Sequence, residues 1–363
     1  MKKKLDSLQA LRALACLVVF ADHSGLNCAV AAAVGVFFML SGFTLTYSGY
    51  DKADVAALRG MDCLKYAVKR ISKLYTLYLL CSLPVLLLEL FTLMKAYSPQ
   101  AALLLVKKMV ASIFLVQSWV PNSEYAMAFN GVAWYLSTSL FLYFAFPPIL
   151  RSIKKAQRTS LLIVAAVTLY IVQFALGFLV EPLEELLLSR KLIPADGKFA
   201  YWFTYIFPPF RLFDFAVGCC LGAVFIRDEN KLSEKKGLFM ELACILILVL
   251  SSFIYRTSDS FLTKDAFVYT QLFVPLAATA LYSFALAQGP VTKLLTNRFT
   301  LFIGSVSSDF FLLHQNIIRF TVMFLSYFMA FSTIKLIVPA LCFAMTIAAC
   351  LIWKWLKNKF RPA

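Results

Sequence analysis

An all-α, polytopic integral membrane protein of about ten transmembrane helices is the fold class this sequence predicts. Three observations predict it: a surplus of apolar residues, their grouping into stretches of spanning length, and a one-sided placement of basic charge. Of 363 residues, 61% are apolar and 15% charged, against roughly 45–50% and about 25% in an ordinary soluble domain. One soluble core cannot bury that excess, so lipid must cover it. A helix needs ~20 residues to cross ~30 Å of hydrocarbon. The stretches that supply them are 7–25, 30–50, 72–93, 131–150, 159–180, 207–226, 238–255, 266–288, 299–328 and 334–356. They are read as helices because backbone groups in lipid must bond within their own segment. The short alternating strands of an outer-membrane barrel are not visible.

The net charge of +16 is large enough for a nucleic-acid binder, but its placement points elsewhere. With the N-terminus inside, 23 Lys and Arg fall on the inner side and 8 on the outer. The inner set runs from Lys2, Lys3 and Lys4 through the loop 51–71 to Lys354, Lys357, Lys359 and Arg361. This is the bias of the positive-inside rule, with both termini cytoplasmic. The expectation is a multi-pass protein of the cell membrane, bathed in lipid, with no nucleic-acid partner. The basic start and Ala29-Val30-Ala31 imitate a cleaved signal peptide. Arg12 interrupts the apolar stretch, however, and a second full-length span follows at once. Nine cysteines lie scattered without a C-x-x-C spacing; they read as small buried hydrophobes, not as a metal site or a disulfide framework. Residues 1–363 read as one membrane domain with no appended soluble domain. The external loops would be 94–130 and 181–200. Within the first, Ala101 to Trp119 is semi-apolar but broken by Lys107 and Lys108, and is expected to be interfacial or re-entrant.

Ionisable groups inside the membrane are costly and mark function by default. Arg12 and His23 both lie in the first span. Their offset of 11 residues returns them to within ~20° of one helix face, ~16 Å apart along the axis. The bland alternative is an Arg that snorkels inward and a His that meets outer water. The only other histidine is His314, in the ninth span. It is either a proton-transfer group or a helix-packing hydrogen bond. Asp309, five residues earlier, is turned ~140° away from it. At the inner end of the third span, Lys69-Arg70-Ile71-Ser72-Lys73-Leu74-Tyr75 offers three cations that suit phosphate. Any inner flank of a membrane protein attracts such residues, so the motif alone does not establish a phosphate site. Further elements are Gly35 to Phe43 with Ser41, and Trp134-Tyr135-Leu136-Ser137 at the start of the fourth span. Arg211 and Asp214 form an i, i+3 couple able to pair. Gly218-x-x-x-Gly222 reads as a packing face.

In this order the motifs resemble the membrane acyltransferase family 3, O-acyltransferases of bacterial envelope glycans. Its pattern is an Arg, ten residues and a His in the first span (Arg12, His23); a G-V-x-x-F-F-x-L-S-G-F element (Gly35 to Phe43, shortened); and a basic motif ending in Leu-Tyr (Lys69 to Tyr75). A Trp-Ser-Leu-Ser element (Trp134 to Ser137) and a Gly-x-x-Ser…Leu-x-x-His element (Gly304, Ser307, His314) complete it. The resemblance covers roughly residues 5 to 356. It departs where Ser139 stands near the place of a common Glu, and where Lys69 and Lys73 replace Arg. The resemblance implies transfer of an acyl group, acetyl for preference, from acyl-CoA to a hydroxyl of a saccharide or saccharide-lipid. It makes His23 the general base and Arg12 the group that orients the donor or stabilises developing charge. Lys69, Arg70, Lys73 and Tyr75 are assigned to the donor. Ser41, Trp134, Ser137, Arg211, Asp214, Asp309 and His314 are further candidates. Acyl-CoA is a substrate, and no permanently bound cofactor is implied. The rival reading is a proton-coupled transporter of a small polar solute or glycan precursor; the inverted repeats and paired broken helices that point to one are missing.

Overall fold

The computed structural model describes residues 5–228, 232–257, 267 and 271–359. Lys2, Lys3, Lys4, Lys231, Lys264 and Arg361 of the charge count, and part of the start of the predicted stretch 266–288, lie outside the described residues. Within them the chain is helical, with no strand. The principal helices are α1 (Asp6–Ala21), α2 (Val30–Gly49), α3 (Met61–Lys95), α4 (Pro99–Ile113), α5 (Trp134–Lys155) and α6 (Thr159–Gly177). They continue with α7 (Pro208–Arg227), α8 (Glu234–Thr257), α9 (Val274–Leu286), α10 (Arg298–Leu325) and α11 (Phe331–Lys359). Each of the ten predicted stretches coincides with one of these helices; α4 is the additional one. Seven helices are both long and apolar enough to cross a membrane. Of the rest, α1 and α9 are shorter. Helix α10 is 28 residues long but carries Arg298, Asp309, His314 and Arg319.

Small residues bring the central helices together. A Cβ on Gly218 would overlap the carbonyl of Met39, and one on Gly42 would stand 3.0 Å from the amide nitrogen of Cys219. Helices α2 and α7 therefore touch backbone to backbone, as the Gly218–Gly222 spacing predicts. Gly304 does the same for α10 against α1, facing the carbonyl of Gln9; the Gln9 amide donates to the Leu301 carbonyl at 2.8 Å. Around these contacts the core is aromatic, with Phe38, Phe43, Phe146, Phe215 and Phe310 fully buried. On the opposite faces, leucine, isoleucine, valine and phenylalanine side chains of α3, α6, α8 and α11 stand exposed. That is an inside-out pattern fit for lipid.

Buried charge is satisfied locally. The Arg211 guanidinium lies 2.8 Å from Asp214, both fully buried, and Gln173 of α6 donates to the same carboxylate at 3.0 Å. Arg211 also sits 4.8 Å from the centre of the Phe38 ring on α2, a cation–π distance. Helix ends at the predicted inner side are capped by cations. Arg227 donates to the carbonyls of Ala156 and Ile153 and to the Tyr50 hydroxyl, and Arg151 donates to those of Ala56 and Leu58. Basic groups at helix C-termini satisfy carbonyls that lack partners within the helix.

One element differs from the sequence reading. Helix α3 begins at Met61, not near 72, because its first turns are amphipathic and basic and so escape a hydropathy criterion. The Lys69–Tyr75 motif therefore lies inside a continuous helix and not at its end. The segment expected to be interfacial or re-entrant is helical over Pro99–Ile113. Helix α4 starts from a Ser98 cap and runs back along α3, with Lys108 paired to Glu89 at 2.8 Å. At its far end Tyr78 donates to the Ser112 carbonyl and Tyr75 to that of Ile113. The chain then turns at Leu115, φ +54°, and returns through irregular backbone to α5. Leu115, Gln117, Ser118, Ala126 and 128–130 of that stretch are buried, whereas Phe114, Val116 and Trp119 are exposed. Side-chain hydrogen bonds tie it to its neighbours. Ser137 bonds Leu115, Gln117 bonds Ala133 and Ser118 bonds Trp134. Asn316 donates to both Cys81 and Phe129.

Candidate active site

Helix α1 presents small buried residues (Ala10, Ala13, Ala15, Cys16) to its neighbours, and these let it lie against α10 with Arg12 between. Arg12 enters a cavity of about 170 Å³ where α1, α2, α3, α5 and α10 meet. Polar groups in its wall are Ser41, Tyr135, Tyr143, Ser307 and Ser308; Phe37, Leu74, Leu136 and Phe311 close it. Tyr135 is held by stacking on Phe38, ring centroids 4.6 Å apart. No carboxylate pairs with Arg12 among the described residues, in contrast to Arg211. A cation surrounded by hydroxyls and lacking a counter-ion is equipped to hold an anionic or strongly polarised oxygen.

Beyond Ala21 the α-helix widens into a π-turn, Asp22–Leu26, that ends on Gly25 at φ +94° and Asn27 at φ +47°. Such turns occur frequently at functional sites. Asp22 is occupied by the backbone amide of Cys28 at 3.1 Å. The turn carries His23 to α10, where its Nδ1 lies 2.8 Å from Nε2 of His314. The chain's two imidazoles, 291 residues apart in sequence, are thus direct partners. His314 is buried, 1% exposed, among Phe20, Phe310 and Phe311; His23 is partly exposed. Phe311 lines the Arg12 cavity and also touches His314, ring centroids 5.9 Å apart. The two regions therefore share one wall.

The remaining predicted residues divide by role. Lys69, Arg70 and Lys73 are exposed on α3. Arg70 lies 4.7 Å from the Tyr66 ring centre and one turn before Leu74, a side chain of the cavity wall. Tyr75 belongs to the same stretch, but its hydroxyl is committed to the Ile113 carbonyl at 2.7 Å. Ser41 faces the cavity. Ser137 does not: its hydroxyl donates to Leu115 at 2.6 Å, pinning the returning segment. Trp134 is packed against Tyr205 and Phe38. Arg211 and Asp214 form the buried structural pair, and Asp309 pairs with Lys357 at 2.8 Å. Sequence reasoning quoted Tyr135 within a motif without giving it a role, and did not single out Tyr143 or Ser308. Their hydroxyls in otherwise apolar helices were the available signal. Among the described residues no group of His, Cys, Asp and Glu has the arrangement of a metal site.

Comparison with known proteins gives two matches. A family model described as an acyltransferase domain matches residues 5–354. The curated protein "Acyltransferase MdmB" of Streptomyces mycarofaciens is 26% identical over 350 residues, covering 87% of this chain and 80% of that protein. No solved structure matches.

Proposed function

The chain belongs to acyltransferase family 3, and on that premise we propose that it transfers an acyl group, acetyl for preference, from acyl-CoA to a hydroxyl of a cell-surface saccharide or saccharide-lipid. The observation that carries the reading is the imidazole pair at the end of the helix whose earlier turn bears the unpaired Arg12. It joins a proton acceptor to an anion-holding cavity. His23, the more exposed of the two, takes the proton of the acceptor hydroxyl as its oxygen attacks the thioester carbonyl. The C–S bond then breaks, and the CoA thiolate leaves with that proton. Arg12 lies 11 residues from His23, ~16 Å along a helix. That is too far for both to touch one carbonyl, so Arg12 acts on the donor and not on the oxyanion. A cavity of about 170 Å³ is below the ~300–1,000 Å³ of drug-sized ligand pockets. It has room for one small polar group of the donor beside Arg12, while the coenzyme body lies outside along Lys69, Arg70 and Lys73 and the thioester reaches on to His23.

The same reading makes the protein a ten-span protein of the cell membrane with both termini cytoplasmic. Ten helices at the predicted stretches and the inner excess of basic residues support it. The donor is then met from the cytosolic end and the acceptor nearer the outer end. The test is the O-acyl content of surface glycans from cells carrying the wild-type gene, no gene, or His23→Ala. Loss of O-acyl groups in the last two is expected. Equal content in all three sinks the assignment. For the donor, Arg70→Ala should weaken acyl-CoA binding to purified protein about tenfold, since a charge-assisted hydrogen bond contributes ~1.5–3 kcal/mol.

A further inference from the structure

We infer that His314 is a positioning residue that fixes the tautomer of His23 through a two-imidazole relay anchored on the carbonyl of Phe310, leaving Nε2 of His23 as the basic nitrogen. The inference deepens the assignment of His23 as general base and rests on it for its functional consequence. The protons follow from three contacts. Nδ1 of His314 lies 3.2 Å from the Phe310 carbonyl. A carbonyl only accepts, so that nitrogen carries the hydrogen. A neutral imidazole has one N–H, so Nε2 of His314 is a lone pair. It faces Nδ1 of His23 at 2.8 Å, and two lone pairs cannot share that distance, so Nδ1 of His23 donates. The ring planes lie within 9° of each other. Stacked rings would be separated by about 3.5–4.0 Å, more than the observed 2.8 Å, so the rings meet edge to edge in one plane. Nε2 of His23 has no hydrogen-bond partner among the described residues.

A second proton on His314 would reverse the map and make His23 an acid. It would also place a charge among Phe20, Phe310 and Phe311 with no carboxylate to meet it: Asp309 pairs with Lys357 and Asp22 is held by Cys28. His314 thus holds a base in the reactive tautomer as the carboxylate of a hydrolase triad does, but without contributing charge.

The experiment uses the intact protein in lipid with ¹⁵N-labelled histidine, in which only two imidazoles give signals. Both should appear protonated at Nδ1 and unprotonated at Nε2 at neutral pH, with coupling across the His23–His314 hydrogen bond; His23→Gln and His314→Gln assign the signals. His314→Gln, whose amide oxygen can accept from His23, should keep the His23 tautomer and most of kcat. His314→Phe fits the aromatic surroundings but accepts nothing. It should give a tautomer mixture at His23 and lower kcat by about 10²–10⁴-fold with KM little changed. A native His23 protonated at Nε2 overturns the relay, as does His314→Phe with the His23 tautomer and kcat intact. Should the tautomers be as stated while His23→Gln keeps full transfer, the relay stands and the reading of His23 as the base falls.

Discussion

Replacing Gly304 by alanine tests the contact on which the site is built. The added Cβ would overlap the Gln9 carbonyl oxygen and stand 2.6 Å from Gln9 Cγ and 3.0 Å from its carbonyl carbon. Carbon atoms pack best at about 3.5–4.0 Å, so α1 and α10 must part by roughly 0.5–1 Å. The obstacle is backbone and cannot rotate away. Overpacking of this kind costs about 1–3 kcal/mol. Arg12 rides on α1 one turn beyond Gln9, and Ser307 and His314 ride on α10, so the same shift opens the cavity. Displacement of catalytic groups by ~1 Å costs about 10²-fold in rate. The control is Gly35→Ala, whose Cβ would meet the Ala277 Cβ at an ordinary 3.8 Å. Unfolding of both variants in detergent and their acyl-transfer rates are the assays. Gly304→Ala should lose both stability and rate, and Gly35→Ala neither. If the two behave alike, the close approach of α1 and α10 does not organise the site.

Asp214→Ala should destabilise the protein by about 3–5 kcal/mol by stranding the buried Arg211 charge, whereas the double change Arg211→Met, Asp214→Leu should cost much less; a double-mutant unfolding cycle measures the difference. Asn316→Ala removes the donor to the Cys81 and Phe129 carbonyls. It should cost about 1–3 kcal/mol and raise amide exchange across residues 115–133. Ser137→Ala loses the bond to Leu115 and should lower stability by about 1 kcal/mol while leaving kcat of the folded fraction unchanged; a collapse of kcat would make Ser137 catalytic. In a cysteine-free background, Tyr125→Cys and Arg190→Cys should react with an impermeant reagent added outside intact cells. Reaction only after permeabilisation reverses the proposed orientation.

The helices were legible because lipid imposes one simple demand, a long apolar run, and seven of the described helices meet it by length and composition. The failures have equally physical sources. Helix α3 starts early because Lys65, Lys69, Arg70 and Lys73 line an exposed face that no hydropathy window recognises. Helix α4 was ambiguous because Lys108 looks too polar for burial until Glu89, on the neighbouring helix, is seen to pair with it. Helical counting placed Arg12 and His23 on one stripe, but the count assumes an unbroken helix, and the π-turn at Asp22–Leu26 widens the last step. It could not bring His23 to His314, since periodicity within a helix carries no information about contacts 291 residues away. Trp134 and Ser137 were legible as a motif but not as struts, because their partners, Ser118 donating to the Trp134 carbonyl and the Leu115 carbonyl accepting from Ser137, lie in a segment outside the long helices.

That segment also sets an order of events during synthesis. The backbone from Leu115 to Ala133 cannot rest in lipid with open carbonyls, and two of its supports come from far along the chain. The Asn130 side chain donates to the Leu312 carbonyl, and the Phe129 carbonyl accepts from Asn316. Neither partner exists until the ribosome has made α10. The segment therefore gains these two supports only once α10 has been made. A chain truncated before α10 would be more than an enzyme without His314: it would also lack two of the bonds that seat the segment 115–133.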